Sequence, residues 1–372
     1  MNMFGPAHYV PILRCKQAER YALKNLHDDD RARITPLIEL TPTIFKSRRT
    51  AKQEPQMLDP AQVLEKEAKK LLETCRNRPF FLDLRHVTAE VARTRGKIHA
   101  LEYLAELGRD YKLAIVPVTG LLRSDKYQSS VREAHKRDGR GICLRITPSE
   151  VLQDGFTAAI SDLLKSFNID AKGVHLLLDY EAGDLAQPDP EAILAEIPNL
   201  NQWQTFSLAS GAFPPDLQGF QLGSSKIPRK DWQIWKRIVS QNGKRKVRKP
   251  TFSDYTIQHG RYKEPVEGCN PSASIRYTLD EEWLIMRGEA LRGRGTNPAE
   301  IRPGREQWNA HAELLCENKE LFYGDTFSWG DSFIRERSVN KQNHGSPEIW
   351  LRAGINHHMT VVSRQIANLN VA

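Results

Sequence analysis

The run Val174–Glu181, VHLLLDYE, admits few folds. Its apolar residues, broken only by His175, stop abruptly at two carboxylates. A half-exposed strand would alternate apolar and polar; a nearly continuous apolar run fits a parallel strand covered on both faces. Charge enters only where such a strand leaves the core.

The same grammar recurs along the chain. Tyr9–Cys15, Ile34–Leu40, Phe80–Arg85, Leu113–Val118, Gly141–Ile146, Val174–Asp179, Trp203–Leu208 and Phe252–Ile257 all read as strands. Helical segments fall between several of them: Gln17–Leu26, one opened by Asp59-Pro60, Ile98–Leu107, and one around Trp232–Val239 that stops near Gly243. Another runs from the capping box Thr147-Pro148-Ser149-Glu150 to about Phe167, and Asp189-Pro190 opens the next. In these starts an oxygen-bearing side chain caps and proline sits where no donor is needed. Strand and crossover therefore alternate about eight times in roughly 250 residues, the signature of a closed (β/α)₈ TIM-like barrel. An open doubly wound sheet is the alternative, but G-x-G-x-x-G and G-x-x-x-x-G-K-[ST] are both missing.

Beyond Gly260 the pattern changes, which divides the chain into a barrel over 1–260 and a C-terminal α+β extension over 261–372 docked on it. Ser274–Tyr277 and Trp283–Met286 are too close for a helical crossover and read as a hairpin. Leu291–Arg305 reads as a loop and Gln307–Glu317 as a helix. Ser346-Pro347-Glu348 starts a short helix that Gly354 stops, and Asn356 starts the last one.

Composition adds boundaries. The 372 residues carry a net charge of +8, which suits an acidic partner such as nucleic acid or a phosphorylated ligand. Cys15, Cys75, Cys143, Cys269 and Cys316 are far apart with no C-x-x-C. This spacing argues against a disulfide framework or zinc site and for a reducing compartment. No motif asks for a cofactor, and no run approaches the ~18 apolar residues of a membrane span. The expectation is a soluble, cytoplasmic protein.

Several stretches together resemble the phage and bacterial "beta protein" family. They are the opening FGPAHYVPILRCKQAERYAL, then ITPLIEL, FFLDLR, GICLRIT, VHLLLDYE and FYGDTF, and the closing SPEIWLRAGINHHMTVVSRQI with Trp350, Arg352 and His357-His358. The resemblance covers essentially the whole chain. It implies a barrel-like α/β fold and association with phages or antiphage loci, and it names no reaction.

Reactive groups of a (β/α)₈ barrel sit at the C-terminal strand ends. Here those ends supply Arg14, Glu39, Asp83, Arg85, Arg145, Asp179, Glu181, Ser207, Ser210, Asp254 and Tyr255. Asp83/Arg85 and Asp179/Glu181 are i, i+2 pairs that project to one side of a strand. Crowded carboxylates raise one another's pKa, which makes Asp83, Asp179 and Glu181 acid/base candidates. Arg14, Glu39, Arg85, Arg145, Asp254, Tyr255, His357 and His358 are then substrate-binding candidates, the arginines as anion clamps. The alternative is that these charges cap helices or close the barrel as a salt-bridge ring. Adjacent on a helix, His357 and His358 point about 100° apart and cannot both face one metal; packing of the extension onto the barrel is their other reading.

Two basic runs remain. Lys244, Arg245, Lys246, Arg248 and Lys249 form one, and Arg292 and Arg294 belong to the second. Both suit sequence-independent phosphate contact. The first precedes the eighth strand, so it belongs to the barrel's N-terminal face, opposite any mouth site. Two functions are consistent with these features. One is a protein that holds nucleic acid or a defence-system partner protein through basic loops and the extension. The other is a barrel enzyme acting on a small anionic substrate.

Overall fold

The computed structural model describes residues 4–47, 56–75, 78–87, 98–183, 188–240, 248–264, 269–291 and 304–369. Eight strands form a closed parallel barrel: β1 (Tyr9–Leu13), β2 (Leu37–Glu39), β3 (Phe80–Asp83), β4 (Ile115–Thr119), β5 (Ile142–Ile146), β6 (Val174–Asp179), β7 (Thr205–Ser210) and β9 (Thr251–Asp254). Each pairs with the next, and β9 returns to β1 through Tyr9–Phe252 and Val10–Ser253. Every residue of β6 is buried, as its continuous apolar run requires. Its alternate side chains serve two cores. Leu177 joins Val10, Ile12, Phe81 and Cys143 inside the barrel, whereas Leu176 and Leu178 face the surrounding helices. Phe4 plugs the N-terminal end, stacked on His175 with ring centroids 5.9 Å apart.

The helices are α1 (Gln17–Lys24), α2 (Asp28–Ala32), α3 (Pro60–Cys75), α4 (Ala100–Asp110), α5 (Asp125–Asp138), α6 (Pro148–Val151), α7 (Phe156–Phe167), α8 (Pro190–Glu196) and α9 (Lys230–Ser240). The capping box forms, with Glu150 accepting from the Thr147 N–H at 2.7 Å. The single helix expected to follow it is in fact two. Gly155 adopts φ +81°, a left-handed conformation that no helix interior contains, and separates α6 from α7. Helix α5 escapes a sequence reading because DKYQSSVREAHKRD is so polar, though Tyr127, Val131 and Ala134 are its buried stripe.

In the extension, β10 (Ser272–Thr278) and β11 (Glu282–Ala290) form the expected antiparallel hairpin. On the free edge of β11 lies β8 (Gly223–Pro228), a polar strand that precedes α9 and so ties the barrel segment to the extension. Helices α10 (Gln307–Glu317), α11 (Trp329–Val339) and α12 (Pro347–Asn368) complete it. Gly354 does not end a helix: α12 runs unbroken through it for 22 residues. The glycine serves contact instead. A Cβ there would lie 2.7 Å from the Arg276 carbonyl oxygen and 2.6 Å from Ile257 Cδ1, so only glycine lets α12 lie this close to β10.

Gly354→Ala tests this directly. Helix propensity alone would favour alanine by about 1 kcal/mol. The overlap with backbone should outweigh it and leave the variant about 1–3 kcal/mol less stable in urea unfolding. An unchanged or raised midpoint would show that α12 can shift away from β10.

Candidate functional site

The C-terminal mouth of the barrel is filled by charge. Parallel strands in register bring inward-facing residues of successive strands to one level, and at the top level these are Arg14, Glu39, Asp83, Arg145, Asp179 and Tyr255, all buried. Arg145 stands at the centre. Its Nη1 donates to Glu39 Oε1 and Asp83 Oδ2, each at 2.8 Å. Its Nε and Nη2 donate to Asp179 Oδ2 at 2.9 and 2.6 Å, and Nη2 also donates to the Tyr255 hydroxyl at 2.7 Å. One guanidinium therefore holds groups from β2, β3, β6 and the end of β9.

Around it lies a second ring. Arg123 donates to both oxygens of Asp83 at 3.0 and 3.1 Å. Arg85 pairs with Glu181 and approaches Asp179 at 3.6 Å. Glu39 Oε2 is 3.2 Å from His86 Nε2 and 3.7 Å from Arg14 Nε. Arg14 is anchored on the carbonyls of His259 and Gly260 at 2.5 and 2.8 Å. Four arginines thus face Glu39, Asp83, Asp179 and Glu181 in a charge-balanced network. Its outer members are partly open, with side-chain exposure of 23% for Arg85, 28% for Glu181 and 18% for Arg123.

The backbone is shaped to place these groups. Asp83, Asp179 and Asp254 each accept from the N–H two residues on, at 2.8, 2.8 and 2.9 Å, which turns the chain where the strand stops. Glu181 is left at φ +54°, a conformation costing a non-glycine residue about 1 kcal/mol. Its carbonyl accepts from the Gly211 N–H at 2.6 Å. Gly260 packs so close that a Cβ would lie 2.5 Å from the Glu181 carbonyl carbon.

Carboxylate crowding does not leave Glu39 or Asp83 with a raised pKa. Burial pushes both up, but Arg145, His86 and Arg85 outweigh it at Glu39, and Arg123 and Arg145 at Asp83, so both are held below the ordinary carboxylate range. Burial likewise opposes the charge on Arg145, and its partners Tyr255, Asp179, Glu39 and Asp83 more than restore it. Asp179 and Asp83 each accept at least four hydrogen bonds. Asp179 Oδ2 also accepts from Tyr255 at 2.7 Å while Oδ1 takes the Glu181 N–H, and Asp83 Oδ1 also accepts from Tyr127 at 3.3 Å.

Three expected members lie elsewhere. Asp254 alternates with the inward Ser253 and Tyr255, so it faces outward, where it accepts from Tyr9 and lies 2.8 Å from His358 Nε2. The His358 Nδ1 meets the Thr278 hydroxyl at 2.9 Å. His357 Nε2 donates to the Thr278 carbonyl and Nδ1 lies 2.8 Å from Asp331, both contacts inside the extension. Both histidines are fully buried and fasten α12, one to the barrel and one to its own segment. Burial lowers the pKa of His358 despite Asp254, in keeping with a ring that donates from Nε2 and accepts at Nδ1.

Of the basic runs, Lys244, Arg245, Lys246, Arg292 and Arg294 lie outside the described residues. Arg248 donates to the carbonyls of Leu200, Trp203 and Gln204 at the N-terminal side of the barrel, and Lys249 is adjacent. Sequence reasoning missed His86, Arg123 and Tyr127. His86 directly follows a strand-end pair and was within reach; Arg123 and Tyr127 follow β4 from a loop and a helix, where no strand rule points.

The fold defines a (β/α)₈ barrel whose mouth is closed by an arginine–carboxylate network. The model of the Beta protein family matches residues 9–364, and the chain belongs to that family. No curated protein matches it. Among solved structures it is similar to the crystal structure of SacUVDE, at 11% identity over 68% of this chain and 94% of that one, with a TM-score of 0.32. It is also similar to a GH138 enzyme targeting pectin rhamnogalacturonan II, at 8% identity over 68% of this chain and 46% of that one, with a TM-score of 0.29. Likenesses this distant carry no information about activity. Among the described residues no helix is long and apolar enough to cross a membrane.

Arg145→Met should cost about 3–5 kcal/mol near pH 7.5, because it strands buried carboxylates. The sign of its pH dependence is diagnostic. In the wild type, Glu39 and Asp83 titrate below their unfolded values, so their stabilisation is present above about pH 4–5 and is lost on acidification. Without Arg145, burial raises them, and protonation then relieves the variant. Its deficit in urea unfolding should shrink by about 1 kcal/mol or more between pH 7.5 and pH 5. A deficit independent of pH would detach Arg145 from the ionisation of its partners.

Proposed function

We propose that the protein binds a small anionic ligand at the C-terminal mouth, with Arg85 and Arg123 as its contacts and Arg14 behind them. The observation that carries this reading is the division of labour in the network. Asp83 and Asp179 have their acceptor capacity filled by Arg145, Arg123, Tyr255 and backbone N–H groups, so they position guanidiniums instead of moving protons. Arg85 and Arg123 stay partly open with donors to spare. A guanidinium fork held rigid by carboxylates is preorganised for a phosphate or carboxylate. Acid/base chemistry, as in the enzyme reading, would fall to Glu181 and His86, the rim groups with free capacity.

Contact with nucleic acid or a partner in phage–host conflict is the second reading. It is supported by the net charge of +8 and by Arg248, which lies at the barrel's N-terminal side, away from the mouth. The two readings use different residues and are separable.

A thermal-shift screen of phosphorylated and carboxylated metabolites should find ligands that raise the wild-type Tm. Arg85→Ala combined with Arg123→Ala should weaken them by about 100-fold or more, at about 1.5–3 kcal/mol per charge-assisted contact. If no anion shifts the wild type, or the double variant binds as well, the mouth is not an anion site. Salt-sensitive DNA binding lost on charge reversal of Lys244, Arg245 and Lys246 would then favour the second reading.

A further inference from the structure

Beside the mouth, and joined to its network only through the backbone of Gly211 and His259, the loops after β6, β7 and β9 meet the first turn of α9 around a cavity of about 290 Å³. Ala182, Ala212, Phe213, Pro214 and Pro215 give it apolar walls, and Ser210, Asp231, Lys230 and His259 supply polar groups. Two of these are unusual. Asp231 is 2% exposed, and its carboxylate accepts only backbone N–H groups, from Trp232 at 2.8 Å and Ala212 at 3.3 Å. Among the described residues it forms no ion pair within 4.0 Å. Ser210 is 3% exposed, lines the same cavity, and its hydroxyl has no hydrogen-bond partner among the described residues.

Asp231 is buried with its opposing charge, Arg229, beyond 4.0 Å, a costly arrangement, and the Ser210 hydroxyl opens onto the cavity. Here both sit at the wall of one cavity with unspent acceptor capacity. A second carboxylate, Asp254, presses on Asp231 from β9, so a further anion is disfavoured there. A cation that also donates hydrogen bonds suits Asp231 and Ser210, although Lys230 on the same wall opposes it, and the apolar walls suit a short aliphatic body.

We propose that this cavity binds a small ligand carrying a protonated primary amine, with Asp231 as counter-ion, Ser210 as hydrogen-bond acceptor, and Phe213, Pro214 and Pro215 against its methylenes. It does not depend on the mouth's binding an anion.

The groups facing Asp231 set its titration. Burial and Asp254 raise its pKa to about 7, while Arg229, which precedes α9, works against them. Tyr9 of β1 and His358 of α12 bond to Asp254 behind it, and Lys230 and His259 share the cavity wall. An alkylammonium should therefore bind more tightly as Asp231 ionises.

The experiment is ligand-observed NMR on the full chain with ethanolamine, putrescine and butylamine at up to about 10 mM, a range that reaches weak fragment affinities. At least one amine should bind saturably, and its affinity should rise about tenfold between pH 6 and pH 8. Asp231→Asn, whose fold is checked by its melting curve, should weaken it about tenfold or more and remove the pH dependence. Ser210→Ala should weaken it several-fold, and Arg85→Ala should leave it unchanged, which keeps this result apart from the fate of the mouth. Absence of binding by every amine, a flat wild-type pH profile, or equal binding by Asp231→Asn would each overturn the proposal. The wild-type pH profile decides the matter even if Asp231→Asn does not fold.

Discussion

The contact of Arg145 with Glu39, Asp83 and Asp179 is what makes this barrel possible as built. Inward-facing carboxylates from β2, β3 and β6 meet on one level, and with no cation among them they would repel across the barrel. A lysine would not replace the arginine, because an ammonium has no planar fork with which to reach carboxylates on several sides at once. The arrangement is not a cheap source of stability, since desolvation of buried ions rivals their attraction. What it does secure is register: a slip of one residue in any of these strands would turn its carboxylate outward and leave Arg145 short of a partner.

The extension repeats this logic with histidine. The Asp254–His358–Thr278 contacts cross from barrel to extension, and Asp331–His357–Thr278 stays within it. The angle of about 100° between neighbouring helix positions, which rules out one shared metal, is what lets the two rings serve two carboxylates. The last helix is thereby fixed in rotation as well as in position.

Much of this was legible in the sequence because parallel strands announce themselves. Apolar runs ending in charge locate the barrel strands, and the strand-end rule points to Glu39, Asp83, Arg145, Asp179 and Tyr255. The side taken by Asp254 was not legible. Phe252–Ile257 carries polar and apolar residues without a clear alternation, so its parity follows only from the pairing with β1 and β7. Gly354 misled for a related reason. Rules for helix ends describe a helix in water, whereas this one is pressed against a strand, and tertiary contact decided the matter. Strand β8, GSSKIP, has no apolar pattern because it is an exposed edge, held by its ladder to β11. Arg123 and His86 reach the mouth from loops, whose paths depend on the assembled barrel.

Helix α12 also closes the chain upon its own beginning. Asn356 donates to the carbonyl of Ala22, Ser363 to that of Asp30, and Arg364 pairs with the Asp30 carboxylate, across more than 330 residues of sequence. During vectorial synthesis on the ribosome, α1 and α2 are made long before residues 347–368, which cover part of their inner faces. Such long-range closure slows folding, because loop entropy is lost before the contacts form. The apolar cluster around Ala22 and Leu23, which includes Ile355, Met359 and Val362, thus closes only once the last helix has been made.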